Sequence, residues 1–384
     1  MDVVKNSDLT EASSNWPQHM QRAIDLACNV LTTTPNPRVG CVIAVDNNIV
    51  AEGWHKAAGQ AHAEAMALQQ AERDLDGATV FVSLEPCNHQ GRTGPCSEAL
   101  IAAGVSTVVI AMLDPNPKVA GEGVKKLEAA GIAVVHLKDF VVVARAINVG
   151  YIKRFESQRP YVRLKMAISL DGRTALNNGE SKWISCEAAR ADVQKLRAQC
   201  SAILTGIGTV LADDPRLNVR LEELGLSEAQ LIANKENLQQ QPLRVVLDGQ
   251  LRTPESAKVL SGDGKAVIYT KKGENSGFGG NVDIRQLSES GSGVSLVSVL
   301  ESLAADYECN EVLLEAGPTL CGAFLKQGLV DELVVYIAPR ILGSDARPML
   351  TLDGVASLAE TIDFSIVEMS QVGSDMKAIM QPTP

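Results

Sequence analysis

Four side chains in the first hundred residues have the types and the spacing of a catalytic zinc site. His62 and Glu64 belong to a His-Ala-Glu triplet, a Glu-Pro-Cys triplet ends at Cys87, and a further thiol follows at Cys96. One histidine and two cysteines can hold Zn²⁺ and leave its fourth position for water, which the metal activates near neutral pH. A glutamate that is not a ligand can move the protons. We therefore predict His62, Cys87 and Cys96 as metal ligands and Glu64 as the catalytic acid and base.

The order of these residues is typical of zinc nucleobase deaminases, whose signature is H-x-E followed by P-C-x-x-C. One departure stands out, because eight residues separate Cys87 from Cys96 where the signature has two. A histidine or a cysteine pair taken singly is more often structural. A purely structural zinc site is a second alternative, weakened because only three good ligands are present and structural sites prefer four.

The composition limits the class of protein. A chain of 384 residues with 45% hydrophobic and 21% charged residues is typical of a soluble globular protein, and its length favours two domains. A net charge of −11 argues against a general nucleic-acid partner or an anionic membrane surface. A small basic pocket for one phosphorylated metabolite remains compatible with that charge.

Cysteine usage and the absence of targeting signals in the sequence predict a cytoplasmic protein. No run of about 18 apolar residues indicates a membrane span, and the polar first fifteen residues lack the apolar core of a signal peptide. The eight cysteines are dispersed along the chain, which favours reduced thiols. We expect no membrane partner.

Hydrophobic periodicity in the first half predicts a three-layer α/β domain. The polar stretch 151–159, followed by Pro160, predicts a domain boundary, giving a polar tail at 1–15, a first domain at 16–150 and a second at 160–384. The predicted helices are 16–31, 62–73, 97–103 and 121–130, and the predicted strands are 39–45, 49–54, 79–84, 105–112 and 132–136.

The second half repeats an α/β pattern without a dinucleotide-binding fingerprint, since no G-x-G-x-x-G opens a βαβ unit. Three segments stand out: Lys165–Arg173, Thr209–Pro215 and Glu315–Thr319, the last a strand-to-helix turn whose amides can hold a phosphate. Each also fits an ordinary capped turn. The polar stretch 221–241 is interpreted as a surface insertion. A helix is predicted at 187–199, and strands at 161–167, 202–205, 243–247, 266–269, 311–314 and 332–337.

The long gap between the two cysteines is where a family resemblance enters. The first half resembles the deaminase half of the bifunctional riboflavin-biosynthesis enzymes, the diaminohydroxyphosphoribosylaminopyrimidine deaminase/reductases. The resemblance rests on matches at Pro35–Gly40, Gly53–His55, His62–Glu64, Glu85–Cys87, His89–Cys96 and Asp114–Pro117. Gly94 departs from the family's commoner proline. The resemblance implies a cytidine-deaminase-like fold for this domain.

By the same resemblance, four further residues of the first half would contact the substrate. Asn36 and His55 would contact the pyrimidine, and His89 and Arg92 would lie near the ribose phosphate. A guanidinium fork suits phosphate, which agrees with that role for Arg92. Pro-Asn-Pro around Asn36 fits a plain turn equally well.

The second half resembles the reductase half of the same enzymes, which has a dihydrofolate-reductase-like α/β fold and uses NADPH without the glycine fingerprint. The resemblance implies cofactor contacts at Ala167, Trp183, Thr209, Asp213, Gly317, Pro318, Thr319, Leu320, Cys321, Gly322 and Ala323. It implies reductase-substrate contacts at Ser181, Arg197, Leu217, Arg220 and Glu315. Arg197 and Arg220 have the chemistry of phosphate clamps.

Together the two halves predict a bifunctional enzyme of riboflavin biosynthesis that requires Zn²⁺ and NADPH. The first half would deaminate 2,5-diamino-6-ribosylamino-4(3H)-pyrimidinone 5′-phosphate, and the second would reduce the ribosyl side chain of the product to ribityl. The expected partners are this small phosphorylated pyrimidine and further copies of the chain. Two alternatives stay open: a tRNA or nucleoside deaminase fused to an unrelated domain, and a zinc-stabilised scaffold without catalysis.

Overall fold

The computed structural model describes residues 13–88, 94–273, 277–287, 289–290 and 293–383. The chain divides into two compact units. The first unit runs to Ser157 and also includes Ser227–Asn237. The second unit takes Gln158–Leu226 and the chain from Leu238 onward. The expected α/β class and the two-domain organisation of the fold are therefore present.

The first unit is built on a five-stranded sheet of order β2-β1-β3-β4-β5. The hairpin β1–β2 and the pair β1–β3 are antiparallel, whereas β3–β4 and β4–β5 are parallel. Its strands are β1 Gly40–Val45, β2 Asn48–Trp54, β3 Thr79–Val82, β4 Thr107–Ile110 and β5 Ala133–His136. Its helices are α1 Trp16–Ala27, α2 Ala63–Gln70, α3 Cys96–Ala102, α4 Glu122–Ala129, α5 Val141–Ala146 and α6 Val149–Ser157, preceded by a 3-10 turn Ser13–Asn15.

Alternation along β1 shows why this sheet is covered on both faces. Val42 and Ala44 belong to the hydrophobic cluster that contains Met20 of α1, whereas Cys41 and Ile43 belong to the cluster that contains Ala63 of α2. Successive side chains of a strand point to opposite faces, so an uninterrupted apolar run needs a layer on each side. The three-layer arrangement follows directly from that run.

Helix α2 lies unusually close to β2 because of a glycine. A Cβ atom at Gly53 would stand 2.4 Å from the carbonyl oxygen of Ala63 and 2.5 Å from the amide nitrogen of Ala67. These are contacts that no side chain can make without moving the helix. Gly53 therefore sets the position of the helix that begins directly after His62.

The second unit contains a nine-stranded sheet of order β11-β10-β9-β8-β14-β6-β15-β18-β17. In this spatial order, the first seven strands, β11 through β15, run parallel to one another. Strands β18 and β17 add an antiparallel edge. The sheet strands are β6 Tyr161–Ser169, β8 Ala202–Gly206, β9 Leu243–Leu247, β10 Ala266–Thr270, β11 Val282–Gln286, β14 Glu311–Leu314, β15 Glu332–Ala338, β17 Phe364–Val372 and β18 Asp375–Pro382.

The remaining elements of the later sequence are two small strand pairs and six helices of the described chain. The strand pairs join β7 Arg173–Ala175 to β16 Arg347–Pro348 and β12 Glu289–Ser290 to β13 Gly293–Val294. The helices are α7 Glu187–Gln199, α8 Ile207–Asp213, α9 Glu228–Ala233, α10 Lys235–Leu238, α11 Leu296–Ala305 and α12 Pro318–Lys326. Short 3-10 turns occupy Leu221–Glu223, Lys258–Leu260 and Leu358–Glu360, as Lys138–Phe140 does in the first unit.

Two features differ from the interpretation of the sequence. Helix α6 runs to Ser157, so most of the polar stretch 151–159, which predicts a domain boundary, is helical. The stretch interpreted as a surface insertion forms α9 and α10, and Ser227–Asn237 belongs to the first unit. Among the described residues, no helix combines the length and the apolar character that a membrane crossing requires.

The close approach at Gly53 generates a prediction about stability. Gly53→Ala should lower the free energy of unfolding of the first unit by roughly 1–3 kcal/mol, because α2 must move away from β2. Gly94→Ala is the matched control, since its Cβ would meet no atom within 4 Å. Urea unfolding followed by the fluorescence of Trp16 and Trp54 measures both. Equal effects of the two substitutions would contradict the steric explanation.

Candidate metal centre and cofactor cavity

Three side chains that could hold a metal ion converge in the first unit. His62 immediately precedes α2, Cys87 follows β3 by a short loop, and Cys96 is the first residue of α3. The Nδ1 atom of His62 lies 3.5 Å from Cys87 Sγ and 3.4 Å from Cys96 Sγ. All three donor atoms lie within 4.8 Å of one another. The structure therefore brings together the three ligands predicted from the sequence.

These separations fit a tetrahedral zinc ion. With Zn–S bonds of about 2.3 Å and Zn–N bonds of about 2.1 Å, a tetrahedral site separates its nitrogen and sulfur donors by about 3.6 Å. The observed distances of 3.5 and 3.4 Å are close to that value. Two thiols and one imidazole are also a donor set that zinc prefers, and three protein ligands leave a fourth position for water.

Glu64 lies in the first turn of α2 and is 3% exposed. Burial and the neighbouring Cys87 thiolate raise the pKa of Glu64 to about 7. The hydrogen bond from the Cys96 thiol and the contact with His62 lower the pKa of Cys87 well below its usual range. A buried carboxyl whose pKa is near neutrality has the property that a general acid and base requires.

Glu85 is a residue of the centre whose role the sequence interpretation missed. Its carboxylate accepts hydrogen bonds from the amides of Gly121 at 2.9 Å, Asp114 at 3.2 Å and Val124 at 3.2 Å. It thereby ties the chain two residues before Cys87 to the loop that leads into α4. A buried carboxylate with three backbone donors satisfies most of its acceptor sites, so its position is fixed. In the sequence, this role is indicated by the position of Glu85 in the Glu-Pro-Cys triplet.

Asn36 and His55 form a pair beside the metal-binding residues. The Nδ2 atom of Asn36 lies 3.0 Å from His55 Nε2, and His55 Nδ1 lies 3.0 Å from the carbonyl oxygen of Ala61. Because a carbonyl only accepts, Nδ1 carries the proton and Nε2 accepts from the asparagine amide. Burial lowers the pKa of His55, which keeps the ring neutral. Its ring centroid is 5.2 Å from that of His62. His89 and Arg92 lie outside the described residues.

A cavity of about 1310 Å³ in the second unit collects nearly all of the predicted reductase residues. Cys321 and Gly322 are not part of its lining: both are buried, and a Cβ at Gly322 would stand 2.0 Å from the carbonyl oxygen of Thr351. The predicted residues that line the cavity are Ala167, Ser181, Trp183, Arg197, Thr209, Asp213, Leu217, Arg220, Glu315, Gly317, Pro318, Thr319, Leu320 and Ala323.

Glu315 is the centre of an ion-pair network in this cavity. Arg197 donates to its carboxylate at 2.6 and 3.0 Å, and Lys165 Nζ lies 3.1 Å from it. Burial alone would raise the pKa of Glu315, but Arg197 and Lys165 hold it well below its usual range. The third nitrogen of Arg197 donates to the carbonyl of Asn218 at 3.1 Å. With its guanidinium engaged in these contacts, Arg197 is better suited to position Glu315 than to bind a phosphate, the role expected from the sequence.

The cavity is positively charged. Among the described residues that line it, eight are basic and three are acidic. Such an excess suits phosphorylated ligands. Arg220, a predicted phosphate clamp, donates to Glu223 at 2.5 and 2.6 Å, and the Arg190 guanidinium lies 4.4 Å from the exposed ring of Trp183. The sequence assigns no role to six of the basic lining residues. Lys165 belongs to the segment Lys165–Arg173, whereas no motif contains Lys182, Arg190, Arg216, Lys258 or Arg347.

Comparison with known protein families assigns each half of the chain separately. Residues 13–112 match the family model of the cytidine and deoxycytidylate deaminase zinc-binding region. Residues 160–378 match the family model of the RibD C-terminal domain. The first match contains the metal-binding residues, and the second contains every residue that lines the cavity.

Relatives cover almost the whole chain. It is 46% identical over 359 residues to riboflavin biosynthesis protein RibD of Escherichia coli (strain K12), which covers 93% of this chain and 97% of the relative. It is 43% identical over 377 residues to RibD of Haemophilus influenzae, with coverage of 97% and 99%.

Two solved structures resemble the chain over a similar extent. Acinetobacter baumannii RibD, form 2, has a TM-score of 0.86 at 42% identity and covers 97% of this chain and 99% of its own. The diaminohydroxyphosphoribosylaminopyrimidine deaminase/5-amino-6-(5-phosphoribosylamino)uracil reductase from Thermotoga maritima has a TM-score of 0.81 at 33% identity and covers 96% and 99%.

The geometry of the three donors predicts the metal content of the purified protein. Cys96→Ser should lower bound zinc from about one ion per chain to a small fraction, because two remaining ligands hold zinc weakly. Cys28→Ser is the matched control, since Cys28 is an exposed thiol of the same unit. Atomic absorption measures both proteins. Equal zinc contents in the two variants would rule out the centre.

Proposed function

The chain belongs to the RibD family of riboflavin biosynthesis proteins, and from that membership we propose how its residues divide two reactions between its two units. The protein is a bifunctional hydrolase and oxidoreductase that deaminates the phosphorylated diaminopyrimidine and reduces the ribosyl side chain of the product. Likeness to RibD proteins over nearly the whole chain, in both halves, supports this function over a nucleoside deaminase fused to an unrelated domain. The deaminase assignment rests on one observation: the donor atoms of His62, Cys87 and Cys96 lie within 4.8 Å of one another.

In the first unit, His62, Cys87 and Cys96 would hold Zn²⁺. When bound, this ion supplies the Lewis acidity that makes water a nucleophile near neutral pH. Glu64 takes a proton from the water as it attacks the amino-bearing carbon and protonates the ring nitrogen. Glu64 then helps the amino group leave as ammonia, while the carbon becomes a carbonyl. Its burial removes competing solvent from this exchange.

Four residues would orient the deaminase substrate. Asn36 and His55 are assigned to the pyrimidine by resemblance to the family. The bond to His55 orients the Asn36 amide, whose carbonyl oxygen and second N–H can form hydrogen bonds with ring substituents. The His55 ring lies edge-on to His62, which supports a substrate position beside the metal ligands. His89 and Arg92 are assigned to the ribose phosphate by resemblance to the family.

In the second unit, the cavity would hold NADPH and the deaminated product. NADPH supplies a hydride, which the reaction requires at the anomeric carbon of the ring-opened sugar. Gly317 precedes α12, so the first amides of that helix can hold a phosphate of the cofactor. The predicted cofactor-binding residues along the wall are Ala167, Trp183, Thr209, Asp213, Pro318, Thr319, Leu320 and Ala323. Cys321 and Gly322 are buried residues of α12.

The reductase substrate would lie against Glu315 and its basic neighbours. Glu315 remains ionised beside Arg197 and Lys165 and can accept hydrogen bonds from sugar hydroxyls. Ser181, Leu217 and Arg220 complete the predicted substrate contacts. Because Arg220 pairs with the partly exposed Glu223, a substrate phosphate can compete for its fork at little cost.

We further propose that the protein works in the cytoplasm as a homo-oligomer and has no nucleic-acid or membrane partner. The eight cysteines of the sequence all have free thiols in the structure, which suits a reducing compartment. The net charge of −11 disfavours nucleic acid. Cell fractionation and light scattering of the purified protein test these two points.

A coupled assay with the Glu64→Gln variant tests the bifunctional assignment. Wild-type protein with zinc should release ammonia from the phosphorylated diaminopyrimidine and then oxidise NADPH. Glu64→Gln should lower the rate of ammonia release roughly a hundredfold to ten-thousandfold, because proton transfer is lost. The variant should still bind zinc, and it should oxidise NADPH normally when given the deaminated product. Ammonia release by wild-type protein without NADPH oxidation would refute the second activity.

The buried ion pair generates a prediction about the second unit. Glu315→Gln should lower its free energy of unfolding at pH 7 by about 3 kcal/mol, because the positive charges of Arg197 and Lys165 lose their partner. Folding lowers the pKa of Glu315 from its ordinary 4.5, so its contribution is complete above that pH and falls as the pH drops further. The difference between wild type and variant should therefore shrink in acid. Urea unfolding at pH 7 and at about pH 3 measures it, with Glu223→Gln, which removes the partly exposed partner of Arg220, as the control.

A further inference from the structure

The segment Ser227–Asn237 lies in the middle of the reductase sequence but belongs to the first unit. It begins with a capping box, in which the Ser227 side chain accepts from the Gln230 amide and the Gln230 side chain accepts from the Ser227 amide. It continues through α9 into α10. We call Ser227–Asn237 the inserted segment. Its own capping hydrogen bonds give it a defined shape, which a loop that merely fills space does not need.

Asn234 of the inserted segment is buried and holds the chain that leads to Asn36. Its Oδ1 atom accepts from the Leu31 amide at 2.6 Å, and its Nδ2 atom donates to the Asn29 carbonyl at 3.3 Å and to the Gln230 carbonyl at 2.8 Å. Only 2% of Asn234 is exposed. A buried amide is costly unless its groups are paired, so these contacts fix the chain after α1 in one position.

The fixed chain continues into the turn that presents Asn36. The amide of Asn36 donates to the Thr33 carbonyl at 3.0 Å, and the Thr33 hydroxyl donates back to the Asn36 carbonyl at 3.0 Å. Thr33 is 2% exposed. The turn is therefore compact, and holding Leu31 also restrains the position of Asn36.

Asn237 holds the other member of the pair through its neighbour. Its Nδ2 atom donates to the carbonyl of Lys56 at 2.7 Å, one residue after His55. His55 itself is tied to Val39 through its backbone amide at 2.9 Å. The Lys56 contact thus fixes the loop that runs from His55 towards His62.

We propose that Asn234 and Asn237 are positioning residues of the deaminase. The two asparagines, three positions apart, fix the chain on either side of the Asn36–His55 pair, whose hydrogen bond is 3.0 Å long. The second half of the sequence thereby supplies part of the support for the pyrimidine site of the first. This inference rests on the proposed assignment of Asn36 and His55 to the substrate. The side-chain hydrogen bonds of the two asparagines go to Leu31, Asn29, Gln230 and Lys56 and not to the predicted metal ligands, so we expect their loss to act on substrate binding.

Asn237→Asp in the full-length zinc-loaded protein tests the proposal. The aspartate has the same size but no donor, so its carboxylate faces the Lys56 carbonyl without a hydrogen bond. The Michaelis constant for the phosphorylated diaminopyrimidine should rise about fivefold, the effect of one lost hydrogen bond, whereas kcat should change less than about twofold. Asn234→Ala should raise the Michaelis constant more, because three hydrogen bonds between this side chain and backbone groups are lost.

Three readouts separate positioning from general damage. Zinc content and NADPH oxidation with the deaminated product should match those of the wild type in both variants, and Glu236→Gln, an exposed neighbour in α10, should leave the deaminase Michaelis constant unchanged. The proposal is wrong if Asn237→Asp leaves that constant within twofold, lowers both activities together, or acts no more strongly than Glu236→Gln. Wild-type protein that releases no ammonia would instead refute the proposed function itself.

Discussion

The first unit depends on the approach of one imidazole nitrogen to two thiol sulfurs within about the edge length of a zinc tetrahedron. His62, Cys87 and Cys96 come from a helix start, a loop after a strand and a second helix start, so each element must be placed to within a fraction of an ångström. Gly53 allows the first of these helices to lie directly on β2. Glu85 holds the loop that carries Cys87, because its carboxylate accepts hydrogen bonds from the amides of Asp114, Gly121 and Val124.

The second unit depends on a different constraint, because the buried carboxylate of Glu315 in the cavity wall must remain ionised. Arg197 and Lys165 supply the opposite charges, and the buried pair stabilises the fold less than its short distances suggest, because both charges lose their hydration. The main effect of the ion pair is to fix the orientation of the carboxylate. A two-point contact with the Arg197 fork gives Glu315 one orientation towards the cavity. The basic excess around it then attracts phosphorylated ligands without requiring a glycine fingerprint.

Much of this could be predicted because the signals are local. The bounds of helix Glu187–Gln199 and of strands Leu243–Leu247 and Glu311–Leu314 were predicted to the residue, since each is a buried or amphipathic run with clear ends. The three predicted metal ligands and Glu64 form an unusual combination of residue types in the sequence. Strands β17 and β18 were missed: most of β17 is exposed on both faces, so it shows neither an apolar run nor a regular alternation. Helix α6 was not predicted, because the polar residues on its exposed face made the segment look like a domain boundary.

The inserted segment shows a kind of information that residue patterns do not carry. The side-chain amides of Asn234 and Asn237 form hydrogen bonds with backbone groups that lie about two hundred positions earlier in the sequence. Every residue except proline offers the same backbone groups, so these contacts require no particular side chain in the segment that they hold. Asparagine is also a common residue of polar loops, which made a surface insertion the natural interpretation. The burial of Asn234 distinguishes the two interpretations, because a solvated loop has no reason to enclose a fully paired amide. A bifunctional chain can thus make one catalytic site depend on sequence from its other half through backbone contacts that leave no motif.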